Sequence, residues 1–392
     1  MPSPTAATAM AWLPDHQLHL LDSLGHIDDQ LQNVAELIQA HSRAETFELR
    51  NEVVDQRMRT IIAGVHPIPA AVSRGVGDVV SALRGVLEHT LFAEVEHRAG
   101  ADRGLTEAEE RWLEVPALGT REQFETWARD KRRRDLPGLG KDGELTERLR
   151  RLQPFEWDGD DTSPLRLIVD HSNVSKHRRP AMVAARLGRV VADLDVASLV
   201  LAEPTGQPAQ EGDLIADAPL HPRLGLDVWP VIALRRPGTD NWPVLMTELA
   251  LLETWVRETA LPTLLKLEPG QSLPAATDVQ IGHVDSRAAG AAAAGHATAA
   301  SRNTDRLVAE GVVRPSFKDE LRRRCRTTSE VNATAAWVES LTDAEVIRRW
   351  DRFVATVPDP ARYAEASGQL VRAAVRWEAQ QASAQPRDEG EH

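Results

Sequence analysis

An arginine and a histidine on one predicted helix are the first residues in this sequence with a spacing suited to phosphate chemistry. Arg84 and His89 are separated by four residues within the stretch 77–92. Arginine is a permanent cation that can hold a phosphate and stabilise a pentavalent phosphorane, and histidine exchanges a proton near neutral pH. The pair therefore predicts metal-independent RNA cleavage, in which a 2′-OH attacks its own phosphodiester. Glu88, directly before the histidine, is the third catalytic candidate.

The same residues also have a purely structural interpretation. Residues five positions apart point about 140° from each other around a helix axis, so Arg84 and His89 converge best with a second helix alongside. Arg84 and Glu88 have the i, i+4 spacing of an ion pair, and His89 could form a hydrogen bond in the core. Catalysis requires Arg84 and His89 exposed together in a cleft near other cations, whereas a structural role requires both to be buried and paired.

A second polar cluster lies well downstream. Its members are Asn173, Lys176, His177 and Arg178, followed by Arg179. Cationic side chains beside an amide that donates and accepts hydrogen bonds would hold a phosphate group, so the first four residues are the predicted phosphate- and RNA-binding site. The alternative is that they pair with Asp78, Glu88 or Asp170 in a buried polar network that fixes the helices.

Near the N-terminus, carboxylates and imidazoles follow one helix face. The stripe consists of Asp15, His19, Asp22, His26 and Asp29. Bundles build metal sites from this spacing, but with ligands from several helices, and only one helix carries the pattern. A solvated flank with Asp–His pairs on the helix surface explains the stripe better. We therefore predict no metal and no cofactor, and keep a metal-dependent bundle enzyme using His19, Asp22 and His26 as an alternative.

The whole-chain composition limits the class of protein. The 392 residues suggest two domains, or one domain with an extension. A net charge of −13 argues against a protein that coats DNA or RNA non-specifically. The single cysteine excludes an internal disulfide. No apolar run is long enough to span a membrane and no signal peptide is visible, so we expect a cytoplasmic protein with no membrane contact.

Apolar spacing predicts the helices that carry the two clusters. A helix beginning near Asp15 has a heptad seam at Leu20, Leu24, Ile27, Leu31, Val34 and Ile38. A second helix, from about 68 to 96, has a wide apolar face. Its Gly75, Gly77 and Gly85 indicate close approach of a neighbouring element. Residues 45–62 fit either a strand or a continuing helix.

The remaining patterns complete the predicted organisation. Residues 1–14 and 385–392 are predicted to be disordered, and 15–266 to form a helical bundle with an antiparallel sheet inserted at about 181–236. A Pro/Gly/Ala-rich linker is predicted at 267–301, before a helical extension at 302–384 with helices near 302–311, 316–327, 330–356 and 359–382. The predicted fold class is α+β, mostly α.

The R-x4-H pattern of Arg84 and His89 on a bundle helix resembles the signature of the HEPN superfamily. This resemblance implies a four-helix bundle, frequent homodimers and, in active members, a composite ribonuclease site at the dimer interface. RNA and a second copy of the chain are therefore the expected partners. This chain has Gly85 where active members usually carry a polar residue after the arginine.

A further resemblance covers about residues 15–265. A widespread group of bacterial and phage proteins has the pattern G-D-h-h-x-x-L-R-x-h-L-D-H, then h-Q-P, then N-x-x-K-H-R. The chain matches with Gly77-Asp78, Leu83-Arg84, Leu87-Glu88-His89, Leu152-Gln153-Pro154, Asn173 and Lys176-His177-Arg178, and it has Glu88 in place of the usual Asp. This resemblance implies a shared fold without naming a reaction. The predicted function is a metal-independent, HEPN-like ribonuclease with a site from Arg84 and His89; the alternative is a non-catalytic dimeric binding or scaffold module in which both polar clusters are structural.

Overall fold

The chain forms an α+β structure that is mostly helical, as predicted. The computed structural model describes residues 10–159, 161–192, 197–220 and 225–384. It divides into two compact units, Met1–Ala300 and Ser301–His392. Residues 1–9 of the predicted disordered segment 1–14, and the whole predicted segment 385–392, lie outside the described residues. No helix within the described ranges is long and apolar enough to cross a membrane.

Two long helices form the centre of the first unit. A 3-10 turn, Asp15–Gln17, leads into helix α1, His19–Arg43, whose predicted heptad seam is buried. Helix α2, Ala70–Ala99, packs against α1 through its apolar face. At Gly75 an added Cβ would lie 2.7 Å from Cγ2 of Val34, so this glycine allows the two helices to approach closely, as predicted. Gly85 has no such neighbour among the described residues.

Shorter helices complete the helical part of the first unit. They are α3 (Glu107–Glu110), α4 (Arg121–Ala128), α5 (Lys131–Arg134), α6 (Glu144–Arg151) and α7 (Pro164–His177), with a 3-10 turn at Pro154–Glu156. Helix α7 begins with proline at its first position, where the missing N–H would have no partner in any case. It packs on α2 and carries the second polar cluster at its C-terminal end.

The strands form two antiparallel sheets. Strands β1 (Phe47–Val54) and β2 (Arg57–Val65) make a hairpin, which resolves the ambiguity of residues 45–62 in favour of strand. Asp55 and Gln56 both have positive φ, 49° and 62°, as a two-residue hairpin turn requires. The larger sheet has the order β1-β2-β5-β4, with β4 at Val200–Leu201 and β5 at Leu214–Pro219.

The predicted single sheet at 181–236 is therefore divided. Within the described residues, strands β3 (Val183–Ala192) and β6 (Leu226–Leu234) form a separate two-stranded sheet, while β4 and β5 extend the distant hairpin. Helix α8, Leu245–Trp255, follows β6 and continues through a π turn, Val256–Ala260, into α9, Leu261–Leu265. This turn accommodates Pro262, which has no N–H to donate.

Residues 267–300, predicted as a linker, contribute to the core of the first unit. Leu273, Ala275, Ala293 and Ala299 are buried, and the Thr277 hydroxyl donates to the Leu21 carbonyl at 3.0 Å. Helix α10, Ser286–Ala293, lies against the chain start, where Met10 and Leu13 are buried although disorder is predicted for residues 1–14.

The second unit is helical throughout its described residues. Its helices are α11 (Ala299–Val308, within which the division falls), α12 (Arg314–Arg322), α13 (Thr328–Ser340), α14 (Asp343–Val354) and α15 (Pro360–Ala384), with a π turn at Ala309–Val313. The single helix predicted at 330–356 is two helices, because Thr342 ends the first and caps the second with Glu345. Phe317, Trp337, Val346 and Phe353 are among its core side chains.

Candidate functional site

Arg84 joins the two helices that carry the polar clusters. Its Nε donates to Oε1 of Glu88 at 2.9 Å, the predicted i, i+4 pair. Its Nη1 donates to Oδ1 of Asn173 on α7 at 2.7 Å. The Arg84 side chain is 20% exposed, and Nη2 makes no hydrogen bond within the part of the chain that the structure describes. The arginine is thus both a connection between α2 and α7 and a source of unused donors.

A close helix contact supports this connection. An added Cβ at Gly77 of α2 would lie 3.3 Å from Cβ and Oγ of Ser175 on α7, which is closer than side chains usually pack, so the two helices approach each other closely here. Gly77 and Arg84 are seven residues, or about two turns, apart and therefore share one face of α2. The two sequence clusters, although far apart in the chain, meet at one helix–helix contact.

His89 does not share the environment of Arg84. Its side chain is exposed and makes no hydrogen bond to a described residue. Its Cε1 lies 4.0 Å from the position of an added Cβ at Gly85, so the imidazole leans back over the residue that follows Arg84. The structure therefore leaves His89 exposed and Arg84 mostly buried and paired, which matches neither the catalytic nor the structural arrangement expected from the sequence.

His19 of α1 interacts electrostatically with His89. Burial is the main reason that the pKa of His19 lies below its usual value, and the neighbouring His89 and His16 lower it further. The Nε2 atom of His19 is buried and has no hydrogen-bond partner among the described residues. An uncharged imidazole therefore lies near the exposed one at neutral pH.

The polar stripe on α1, kept as an alternative metal site, does not bring metal ligands together. Among the described residues, no group of three or more His, Cys, Asp or Glu side chains is arranged to hold a metal ion. Asp15 instead accepts a hydrogen bond from Arg287. His16, adjacent to the stripe, stacks on His97 with ring centroids 4.0 Å apart and contacts Oε1 of Glu94 at 2.9 Å.

The residues after Asn173 form an exposed cationic cluster, which we define as Lys176, His177, Arg178 and Arg179. All four side chains are exposed, and none makes a hydrogen bond or ion pair with a described residue. Two of the three expected acidic partners are engaged elsewhere, since Asp170 pairs with Arg166 at 2.8 Å and Glu88 with Arg84. The third, Asp78, is exposed and makes no ion pair with a described residue. Asn173 is itself exposed, so neither it nor the cationic cluster belongs to the buried polar network that was the alternative prediction.

Gln153, from the h-Q-P pattern, has a structural role. Its side chain is buried; Nε2 donates to the carbonyls of Pro116 and Leu149 at 2.9 and 3.0 Å, and Oε1 accepts from the N–H of Leu118 at 3.1 Å. All the polar atoms of its amide are thus used to fix an irregular segment before α4. Nothing in this geometry requires a substrate.

A buried ion-pair network beside the cationic cluster was not predicted from the sequence. Arg236 donates through Nε and Nη2 to both carboxylate oxygens of Glu248, at 2.8 and 2.9 Å, and through Nη1 to Asp161. The side chains of Arg236 and Glu248 are 5% and 2% exposed. The basic pair Arg235-Arg236 before the turn at Pro237 is the only local sign of it.

His171 on α7 belongs to no predicted site, yet it is almost wholly buried. Burial, with a smaller contribution from the nearby Arg236, lowers the pKa of its imidazole to about 4. Its Nε2 has no hydrogen-bond partner among the described residues.

Comparison with family models, curated proteins and solved structures found no match for this chain.

Proposed function

We propose that this protein binds RNA through the cationic cluster. The observation that carries the proposal is that Lys176, His177, Arg178 and Arg179 are exposed and unpaired with described residues. Basic residues in the last turn of a helix are favoured by its dipole alone, so their presence is weak support. Their lack of carboxylate partners in a chain of net charge −13 is stronger support.

The position of the cluster suits phosphate binding. Asn173 is held by Arg84, so the helix end before the cluster is anchored to α2 and presents its cations from a fixed base. Each phosphodiester neutralised by lysine or arginine releases counterions, which makes the affinity depend on salt. The negative charge of the rest of the chain limits such binding to this local surface.

The experiment is fluorescence anisotropy with a labelled single-stranded RNA over a range of salt concentrations. We expect Lys176→Gln and Arg178→Gln each to weaken binding across unrelated RNA sequences. Each should also reduce the slope of log K against log salt by roughly 0.7, the value for one phosphate contact on a single strand.

Lys131→Gln is the matched control. Lys131 is also an exposed lysine in a basic run, and it has no ion pair with a described residue. If Lys131→Gln weakens RNA binding as much as Lys176→Gln, the affinity reflects overall charge and the proposed site is wrong. Absence of RNA binding by the wild-type protein in low salt would also refute the proposal.

Metal-independent RNA cleavage is the second candidate function. It is favoured by the exposed His89, which can exchange a proton, and by the unused Nη2 donors of Arg84. His19 is uncharged at neutral pH and so would not repel a protonated His89. A composite site of the HEPN kind would use these groups from two copies of the chain.

Cleavage of a labelled structured-RNA pool in EDTA tests this candidate. Arg84→Ala and His89→Ala should both abolish cleavage while remaining folded, and the products of the wild type should end in cyclic phosphates. His26→Ala, at an exposed histidine on α1, should cleave as the wild type does. If a dimer forms the site, activity per chain should rise with protein concentration. Unchanged cleavage by His89→Ala would exclude this mechanism.

A further inference from the structure

A pocket of about 540 Å³ lies between the C-terminal end of α7 and the turn that follows β6. Basic side chains dominate its polar lining: Arg178, Arg179, Arg235, Arg236 and His171. We call it the arginine pocket. Its volume is within the range of about 300–1,000 Å³ that small-molecule sites occupy. The charge of a ligand should therefore decide whether the pocket binds it.

Arg236 forms a wall of the arginine pocket and is not available to a ligand. Its guanidinium is bound on all sides by Glu248 and Asp161, which together exceed its charge by one. Arg235 is partly engaged, because its Nε donates to the Thr239 carbonyl at 2.9 Å and its Nη2 lies 3.5 Å from Asp240. The paired groups give the pocket rigidity, and other groups must provide the attraction.

The unpaired donors are on the opposite side. Arg178 and Arg179 line the arginine pocket, and neither side chain has a partner among the described residues. Each guanidinium carries five N–H donors in a planar fork that matches the oxygens of a phosphate. Two free cations outweigh the single excess negative charge at Arg236, so the pocket has a net attraction for anions.

His171 adds a second, independent sign of a ligand. It lines the arginine pocket, it is 3% exposed, and its Nε2 is buried without a partner among the described residues. A buried polar atom without a partner is costly, and a ligand oxygen that meets it removes that cost. An uncharged imidazole can either donate to such an oxygen or accept from a hydroxyl, according to its tautomer.

We infer that the arginine pocket binds a phosphomonoester, with Arg178 and Arg179 holding the phosphate oxygens and His171 meeting a polar atom of the ligand. A terminal phosphate carries more charge than a phosphodiester, and the pair of free guanidiniums matches it best. The ligand could be a small phosphorylated molecule or the 5′-phosphate of an RNA strand. The inference goes beyond RNA binding, since the pocket can take a free phosphomonoester whether or not RNA binds outside it.

Isothermal titration of the full-length protein at physiological salt tests the inference with inorganic phosphate, adenosine 5′-monophosphate and adenosine. We expect the two phosphates to bind with dissociation constants at or below about 1 mM and adenosine not to bind. Arg179→Gln should weaken both by about tenfold or more, because it removes charge-assisted hydrogen bonds. Lys131→Gln, at an exposed lysine outside the lining, should change them less than about threefold.

The second variant is at His171, which is buried. His171→Gln should weaken the binding of adenosine 5′-monophosphate if it folds. Arg179→Gln, at an exposed residue, tests the pocket even if His171→Gln does not fold. Equal affinities for inorganic phosphate and adenosine 5′-monophosphate identify a site for phosphate alone. Tighter binding of adenosine 5′-monophosphate, together with a preference for 5′-phosphorylated RNA over its 5′-hydroxyl form, identifies a site for a nucleotide end.

The inference is overturned if neither phosphate binds, or if Lys131→Gln weakens their binding as much as Arg179→Gln does. Loss of RNA binding in Lys176→Gln with phosphate binding retained separates this site from the proposed RNA surface. Phosphate binding by a wild-type protein that binds no RNA supports the pocket and rejects only the RNA proposal.

Discussion

Protonation of His171 should set part of the acid sensitivity of the first unit. In the folded chain its pKa is about 4, because burial disfavours the imidazolium, whereas in the unfolded chain it returns to about 6.5. Between these values the unfolded chain binds more protons than the folded one. Stability is therefore lost as the pH falls from about 6.5 towards 4, and it is retained above 6.5.

The size of this effect follows from the two pKa values. Their full difference corresponds to about 3 kcal/mol of unfolding free energy at and below pH 4. At pH 5 the loss is already about 2 kcal/mol, since most of the unfolded molecules are then protonated. His171→Leu removes the titrating group and also the unpaired Nε2, so at pH 7.5 it should be close to neutral in stability.

Urea unfolding of the wild type and His171→Leu at pH 7.5, 6 and 5 measures the loss of unfolding free energy that His171 causes. The first unit is followed through tryptophan fluorescence, with two transitions fitted where the units unfold separately. Other carboxylates and histidines titrate in both proteins and cancel in the difference. We expect the wild type to lose about 2 kcal/mol more than the variant between pH 7.5 and 5. Parallel curves would show that His171 does not titrate in this range.

Three further substitutions test separate parts of the structure. Arg236→Met should cost about 3–5 kcal/mol in urea unfolding, because it leaves the Glu248 carboxylate buried without its partner; a cost below about 1 kcal/mol would contradict this. Gly25→Ala should lower the thermal midpoint and expose residues 267–285 to protease, because the new Cβ would lie 2.5 Å from the Thr277 carbonyl oxygen; a stabilised variant would show that helix propensity outweighs the clash. Thr327→Ala should cost the second unit about 1 kcal/mol through loss of its capping box, and an unchanged urea midpoint would refute this.

Local periodicity was sufficient for the long helices. The heptad seam of α1 and the apolar face of α2 recur every three or four residues, and these positions are buried. The break in the single helix predicted at 330–356 could have been found in the sequence, because Thr342 and Glu345 have the spacing of a capping box. An apolar stripe continues across such a break, so periodicity alone could not find it.

Strand pairing and the packing of 267–300 depended on distant partners. Strand β2 at Arg57–Val65 pairs with β5 at Leu214–Pro219, and no local pattern in either strand identifies the other. Asp217 accepts from both Arg57 and Arg59 across this pairing, but opposite charges so far apart in sequence have many equivalent partners. The Ala-rich segment at 287–300 resembled a spacer because small residues bury well while giving little periodic signal.

In the candidate site, too, local contacts could be predicted from the sequence and distant contacts could not. The Arg84–Glu88 pair follows from helix spacing, whereas the Arg84–Asn173 hydrogen bond requires knowledge that α2 packs against α7. Burial of His171 could not be recognised from sequence, since its helix face is defined by the same packing. The composition of the cationic cluster was evident; that its side chains lack partners was not.

The exposed side chains of the cationic cluster contribute little to the stability of the fold. Exposed ion pairs contribute at most about 1 kcal/mol, so the fold gains little by pairing Lys176, Arg178 or Arg179 and loses little by leaving them free. Arg236 is the opposite case, because its burial makes its partners indispensable. A structural purpose accounts for Arg236 and for the Arg84–Asn173 connection, but no contact among the described residues accounts for the cationic cluster. That asymmetry is the physical reason to assign this surface to a ligand and the buried network to the scaffold that holds it.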